Sequence, residues 1–228
     1  SVQFSSADYS VFTLYQGRMS GAAIVKSKVS LGALDVATTA LFLCDVQEKF
    51  RPVMMHFEDI VINSKKLLSG CASLGVPLLV TEQYPKGLGN TVAELDISHA
   101  VAVVPKTKFT MVVPEVEVKM AVLCDGGLQS IVLCGIESHV CVEQTAIDLL
   151  SRGLFVHIVA DCCGSRTQED RLLALQRLQQ IGCFVTTSEN VLFKLLGDKD
   201  HPKFKEIAGL VKATSQPTGL VSKIVYNK

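Results

Sequence analysis

Short apolar runs alternate with longer amphipathic stretches along most of this chain, and that alternation is what most limits its fold. The first run, residues 39–46 (TALFLCDV), is apolar on both faces and ends in polar residues, the pattern of a strand buried inside a parallel sheet. Residues 58–74 follow, with Ile60, Ile62, Leu67, Leu68, Cys71 and Leu74 at near-helical spacing, and Gly75 is placed to stop them. Residues 77–82 (PLLVTE), 101–104 (VAVV) and 130–135 (SIVLCG) read as the second, third and fourth strands. A helix over about 139–152 puts Val142, Ala146, Leu149 and Leu150 on one face. Residues 154–161 (LFVHIVAD) make a fifth strand, and 183–187 a short sixth. Between them Thr167-Gln168-Glu169-Asp170 opens a helix as a variant capping box. Further helices are expected over 188–196 and 202–212. Strand, helix, strand in this order implies parallel pairing through right-handed crossovers. The expected fold is a three-layer α/β domain over residues 38–213, behind an N-terminal arm of residues 1–37 that does not share the rhythm. Residues 214–228, with Ser215, Pro217 and Gly219, read as an irregular tail.

Charge and cysteine content narrow the function classes. Lys plus Arg number 22 and Asp plus Glu number 22, so the net charge is zero. Nucleic acid and anionic membranes both call for a basic excess or patch, so neither is expected as a partner. The longest apolar runs are too short to span a bilayer, and nothing at the start reads as a secretory signal. Eight cysteines are present, most of them inside apolar runs and without framework spacing, which reads as reduced thiols in a cytoplasmic protein. Gly87-Leu88-Gly89 lacks the third glycine and the strand context of a dinucleotide loop, so no cofactor is expected. His56, His99, His157 and His201 are scattered and take structural or solvent roles.

In an open parallel sheet, ligands sit beyond the carboxyl ends of the strands where strand order reverses. Three strand-end residues therefore matter. Asp45 closes the first strand and serves either a site at the sheet rim or a turn. Lys106 follows the third strand, where a lysine is ordinarily a solvated charge unless a carboxylate shares its crevice. Cys141 falls at the third helical position if Ser138 is the N-cap. It is then either a small core residue or a thiol lowered from its usual pKa of about 8.5 by unpaired N–H groups and a nearby ammonium.

The stretches LFLCDVQEKF, VVPKTKFTMV and VLCGIESHVCVEQTAIDLL, with TEQYPKGLGNTV and DKDHPKFKEI, resemble the isochorismatase-like cysteine hydrolases over about residues 39–220. The resemblance implies a Rossmann-like six-stranded parallel sheet and an Asp-Lys-Cys triad, which maps onto Asp45, Lys106 and Cys141. Thr110-Met111-Val112 stands where the family has Ser-Ala-Phe, and this selects Lys106 over Lys108. The family's non-proline cis peptide would join Ile136 to Glu137. It would direct the backbone N–H groups of Glu137 and Cys141 to one point, an oxyanion hole. Gln47, Phe50, Tyr84, Phe109 and His139 are expected around a substrate pocket. Nicotinamidases of this superfamily carry an Asp-x-His metal site after the second strand. Here that region reads Thr81-Glu82-Gln83-Tyr84, so no metal is expected and nicotinamide is disfavoured. Ether hydrolysis of isochorismate is disfavoured too, because some enzymes with that activity lack the thiol altogether. The implied activity is hydrolysis of an amide-like C–N bond in a small polar metabolite, by a homo-oligomer and through a thioester-type intermediate. The rival readings are a non-catalytic binding or scaffold protein that keeps the fold, and a redox-sensing thiol at Cys141 with a resolving cysteine such as Cys44 close by.

Overall fold

Every residue of the strand Thr39–Cys44 is buried, which requires neighbours on both edges and helices on both faces. The computed structural model, which describes residues 31–212, meets that demand with six parallel strands. These are β1 (Thr39–Cys44), β2 (Leu78–Gln83), β3 (Ala102–Lys106), β4 (Ser130–Ile136), β5 (Phe155–Gly164) and β6 (Phe184–Thr186). Their order is β3-β2-β1-β4-β5-β6. The chain thus builds outward from β1 to β3, then returns to lay β4 against the free edge of β1. That reversal opens a crevice beyond the carboxyl ends of β1 and β4.

Helices α1 (Phe57–Leu74), α6 (Ser188–Leu196) and α7 (Phe204–Lys212) pack with one another, and α4 (Glu143–Ser151) packs with α5 (Gln168–Gln180). The remaining helices are α2 (Pro85–Leu88), a single turn, and α3 (Pro114–Met120) on β3. α1 ends where expected, with Gly75 in the left-handed region at φ 79°. α5 is capped by Thr167, whose hydroxyl oxygen accepts from the Asp170 N–H. Phe42, Leu41, Leu43, Leu79, Ile131 and Leu133 are fully buried at the sheet centre. Truncating one of the large ones to alanine costs about 3 kcal/mol or more.

Two departures from the expected outline bear on the site. Lys106 is the last residue of β3 rather than a residue beyond it. Ser138 does not cap a helix: residues Ser138–Val142 form a π-helical turn that runs into α4, and the Ser138 hydroxyl donates to the Gly164 carbonyl. The expected arm overlaps the described residues only over 31–37, where a 3-10 turn at Val36–Thr38 leads into β1. The rest of the arm and the tail lie outside them.

Candidate active site

The close approach of β4 to β1 sets the floor of the crevice. Gly135 has φ +128°, and a Cβ there would lie 2.0 Å from the Cys44 carbonyl oxygen. Only glycine fits. The chain then turns sharply after β1 with Asp45 in the left-handed region at φ 52°, an uncommon conformation for a non-glycine residue and more tolerable for aspartate than for most.

This turn tucks the Asp45 side chain back over the strand ends. Its Oδ2 accepts from Lys106 Nζ at 2.6 Å, and neither side chain is exposed. Its Oδ1 accepts from the Thr81 hydroxyl at 2.7 Å. Lys106 reaches from the edge strand β3 past the end of β2 to make this contact. Its ammonium also donates to Gln83 Oε1 at 2.7 Å and to the carbonyls of Phe109 at 2.9 Å and Lys108 at 3.1 Å. Four acceptors surround three protons, so the side chain is pinned in place.

A second thiol joins the group. Cys44 Sγ lies 3.5 Å from Asp45 Oδ2, and its side chain also meets that of Cys141. Burial first, then the contact with Cys141 and the Asp45 charge, push the Cys44 thiol well above the usual cysteine range. It therefore stays a neutral S–H donor. Asp45, Lys106 and Cys141, from three different segments, all act on this one thiol. Cys141 is only 5% exposed. Its carbonyl accepts from the Thr145 hydroxyl at 2.6 Å, and the Thr145 oxygen accepts from the Met111 N–H at 2.8 Å.

The peptide joining Ile136 to Glu137 is cis. The Glu137 carbonyl accepts from the N–H groups of Val140 and Val142, and its carboxylate pairs with Arg166 at 3.2 Å.

The five residues expected to line a pocket divide. Tyr84 and Phe109 are 55% and 52% exposed near the ends of β2 and β3. Phe50 is half-buried against the core. His139 Nδ1 lies 2.9 Å from Ser165 Oγ. Gln47 is fully buried, and its amide joins the backbone of β2 and the next loop: it donates to the carbonyls of Gln83 and Gly89 and accepts from the Gln83 N–H. That is the work of a strut. A cavity of about 500 Å³ opens beside Lys106 between Tyr84, Lys86, Lys108, Val113 and Glu115. Among the described residues no group of three or more His, Cys, Asp or Glu side chains is arranged to hold a metal, and no helix is long and apolar enough to cross a membrane.

Thr81 and Gln83 are not singled out as site residues by the sequence; Cys44 is, as a thiol that could resolve an oxidised Cys141, and the structure does bring it against Cys141. Strand register brings them to the site: Cys44 pairs with Thr81 across β1 and β2, and Gln83 with Lys106 across β2 and β3.

The sequence pattern of the isochorismatase domain matches residues 39–190. Isochorismatase domain-containing protein 1 of Salmo salar is 54% identical over 194 residues, covering 85% of this chain and 68% of its own length. Isochorismatase domain-containing protein 2 of Xenopus laevis is 48% identical over 192 residues, covering 84% of this chain and 92% of its own. The structure of MAR1 ribonuclease from Caenorhabditis elegans superposes with a TM-score of 0.77 at 43% identity, covering 83% of this chain and 97% of that one.

Proposed function

The chain belongs to the isochorismatase family, and from that premise we propose that it is a cysteine hydrolase cleaving an amide-like C–N bond in a small polar metabolite. The observation that carries this reading is the buried Asp45–Lys106 ion pair, which meets the Cys141 side chain at the thiol of Cys44.

Asp45 takes the proton of the Cys141 thiol, and the sulfur anion attacks the carbonyl carbon. As the C–S bond forms, the carbonyl π electrons move onto oxygen, where the N–H groups of Glu137 and Cys141 stabilise the charge. Collapse breaks the C–N bond, and Asp45 returns its proton to the departing nitrogen. Water then adds to the thioester with Asp45 as base, and the acid product leaves as the Cys141 thiol re-forms. Lys106 keeps its ammonium beside the carboxylate throughout. Its four contacts hold it as a fixed charge. The same reading carries a homo-oligomer and no resident cofactor.

The name of the nematode relative gives a second reading, cleavage of RNA. Lys86 and Lys108 on the cavity beside Lys106 favour it, as ammonium groups suit phosphates.

One panel tests both. Primary amides, ureido compounds and carbamates are assayed for nitrogen release, and single-stranded RNA for cleavage, with wild type and Cys141→Ala. The expected result is turnover of a C–N substrate that falls at least about 10³-fold in C141A, with an acyl adduct on Cys141 trapped by mass spectrometry. RNA cleavage indifferent to C141A would favour the second reading. No turnover of anything would leave the binding or scaffold role.

A further inference from the structure

Thr81 lies opposite Cys44 in the β1–β2 register and is fully buried. It meets Asp45 twice. Its carbonyl accepts from the Asp45 N–H at 3.2 Å, and its hydroxyl donates to Asp45 Oδ1 at 2.7 Å. The other carboxylate oxygen, Oδ2, faces Lys106 at 2.6 Å and Cys44 at 3.5 Å. The next residue on β2, Glu82, is turned elsewhere, with Oε1 accepting from the N–H and hydroxyl of Thr91. Among the described residues, the charged or titratable groups around the carboxylate are therefore Lys106 from β3, Cys44 from β1 and, through Cys44, Cys141 from the π-helical turn.

A carboxylate rotates broadly about its last bond unless both oxygens are held. Here a neutral donor holds one and a cation the other. We propose that Thr81 is a positioning residue of the site: its hydroxyl fixes Asp45 Oδ1, so that Oδ2 is presented to Lys106 and the thiols. The inference rests on the hydrolase reading and deepens it. Thr81 acts through Asp45.

The donor also restrains proton transfer. The Thr81 O–H at Oδ1 stabilises the carboxylate anion and so weakens its pull, at Oδ2, on the proton that leaves Cys141 Sγ. Without the hydroxyl the carboxylate draws that proton more readily, and sulfur keeps its electron pair as the anion more often. It also surrenders the proton less readily to a departing nitrogen. Thr81→Val, close to isosteric, should therefore speed alkylation of Cys141 at neutral pH severalfold, up to about tenfold. It should at the same time lower kcat on any C–N substrate, with KM little changed. A hydroxyl that served packing alone would not speed the thiol.

The experiment follows iodoacetamide labelling of the Cys141 peptide by mass spectrometry across the acidic to mildly alkaline range. It compares wild type, T81V, Thr81→Ser and Asp45→Asn in the full chain. Faster labelling in T81V, wild-type labelling in T81S and an altered profile in D45N support the proposal. Labelling in T81V that equals or falls below wild type, while D45N responds, overturns it and leaves the hydrolase reading standing. A D45N profile identical to wild type overturns that reading and this inference with it. If circular dichroism shows T81V misfolded, Thr81→Ala replaces it with the same expected direction.

Discussion

Lys106 and Asp45 approach to 2.6 Å with both side chains wholly out of solvent. Two desolvated charges stay together only because each answers the other, so removing one strands the other. Lys106→Met is expected to cost about 3–5 kcal/mol of stability. Pairing it with Asp45→Asn should recover part of that loss, because no charge is then left alone. Urea unfolding of the wild type, both single variants and the double variant checks this. Strictly additive losses would mean that the pair is not coupled in the folded state.

The thiols should separate sharply by reactivity. Burial lifts Cys71, Cys163 and Cys183 to about 12. It raises Cys134 and Cys162 well above the usual range. Burial, with Asp125, also raises half-buried Cys124. At neutral pH the native protein should label first at Cys141, at least about tenfold ahead of any other cysteine. After denaturation all eight should react alike. Peptide mapping reads both states, and fast native labelling of a second cysteine would contradict the account.

The outline of the sheet was legible because β1, β4 and β5 are apolar runs bounded by polar or glycine residues, and the crossovers follow from their order. α6 falls where the pattern places it, at Ser188–Leu196. α3 was not legible. Glu115-Val116-Glu117-Val118 alternates with the period of a strand, and only Val116 of that helix is buried, so no apolar stripe announces it. In the site, Asp45 and Lys106 stand out as charges at the ends of apolar runs. Thr81 and Gln83 look like any polar strand residues. Their contacts exist only once β1, β2 and β3 are laid side by side, and one sequence does not show that register. The π-helical turn was missed for a related reason: Ser138 has the chemistry of a cap, but its hydroxyl is drawn to Gly164 across the sheet.

His157 should make the protein acid-sensitive. The ring is fully buried and stacks on Phe184 at 4.9 Å, and neither nitrogen has a partner among the described residues. Burial, and secondarily the Lys194 charge, lower its pKa from 6.5 to about 4. Between these two values the unfolded chain holds a proton that the folded protein refuses. The stability due to neutral His157 is therefore complete above about pH 6.5 and is lost as pH falls towards about 4, by roughly 3 kcal/mol in all. His157→Leu should flatten that decline, as read from urea midpoints at neutral and at mildly acidic pH. An equal decline in both proteins would assign the acid sensitivity elsewhere.

Two glycines should respond oppositely to alanine. At Gly135 the new Cβ would sit 2.0 Å from the Cys44 carbonyl oxygen on backbone at φ +128°. The β1–β4 contact beneath the site cannot survive that, and a loss of at least about 4 kcal/mol or failure to fold is expected. Gly209 lies in α7 with nothing within 4 Å of the added carbon. There alanine should stabilise by about 0.5–1 kcal/mol. Thermal melts of the two variants decide the point.

Thr145 ties the Cys141 turn to the loop that clasps Lys106. Its oxygen accepts from the Met111 N–H at 2.8 Å while its hydroxyl donates to the Cys141 carbonyl at 2.6 Å. Two and three residues before Met111, the carbonyls of Phe109 and Lys108 accept from Lys106 Nζ. Thr145→Val would leave a buried N–H without its acceptor and free the loop, at a cost of about 1–3 kcal/mol. Because the same loop holds the ammonium that faces Asp45, Cys141 labelling and any hydrolase turnover should slow with it. Thr145→Ser keeps both bonds and should restore both properties. Hydrogen exchange at the Met111 amide reports the link directly: slow in the wild type and in T145S, fast in T145V. Persistent protection in T145V would mean that another contact holds the loop, and that the sulfur and the lysine are not joined through this residue.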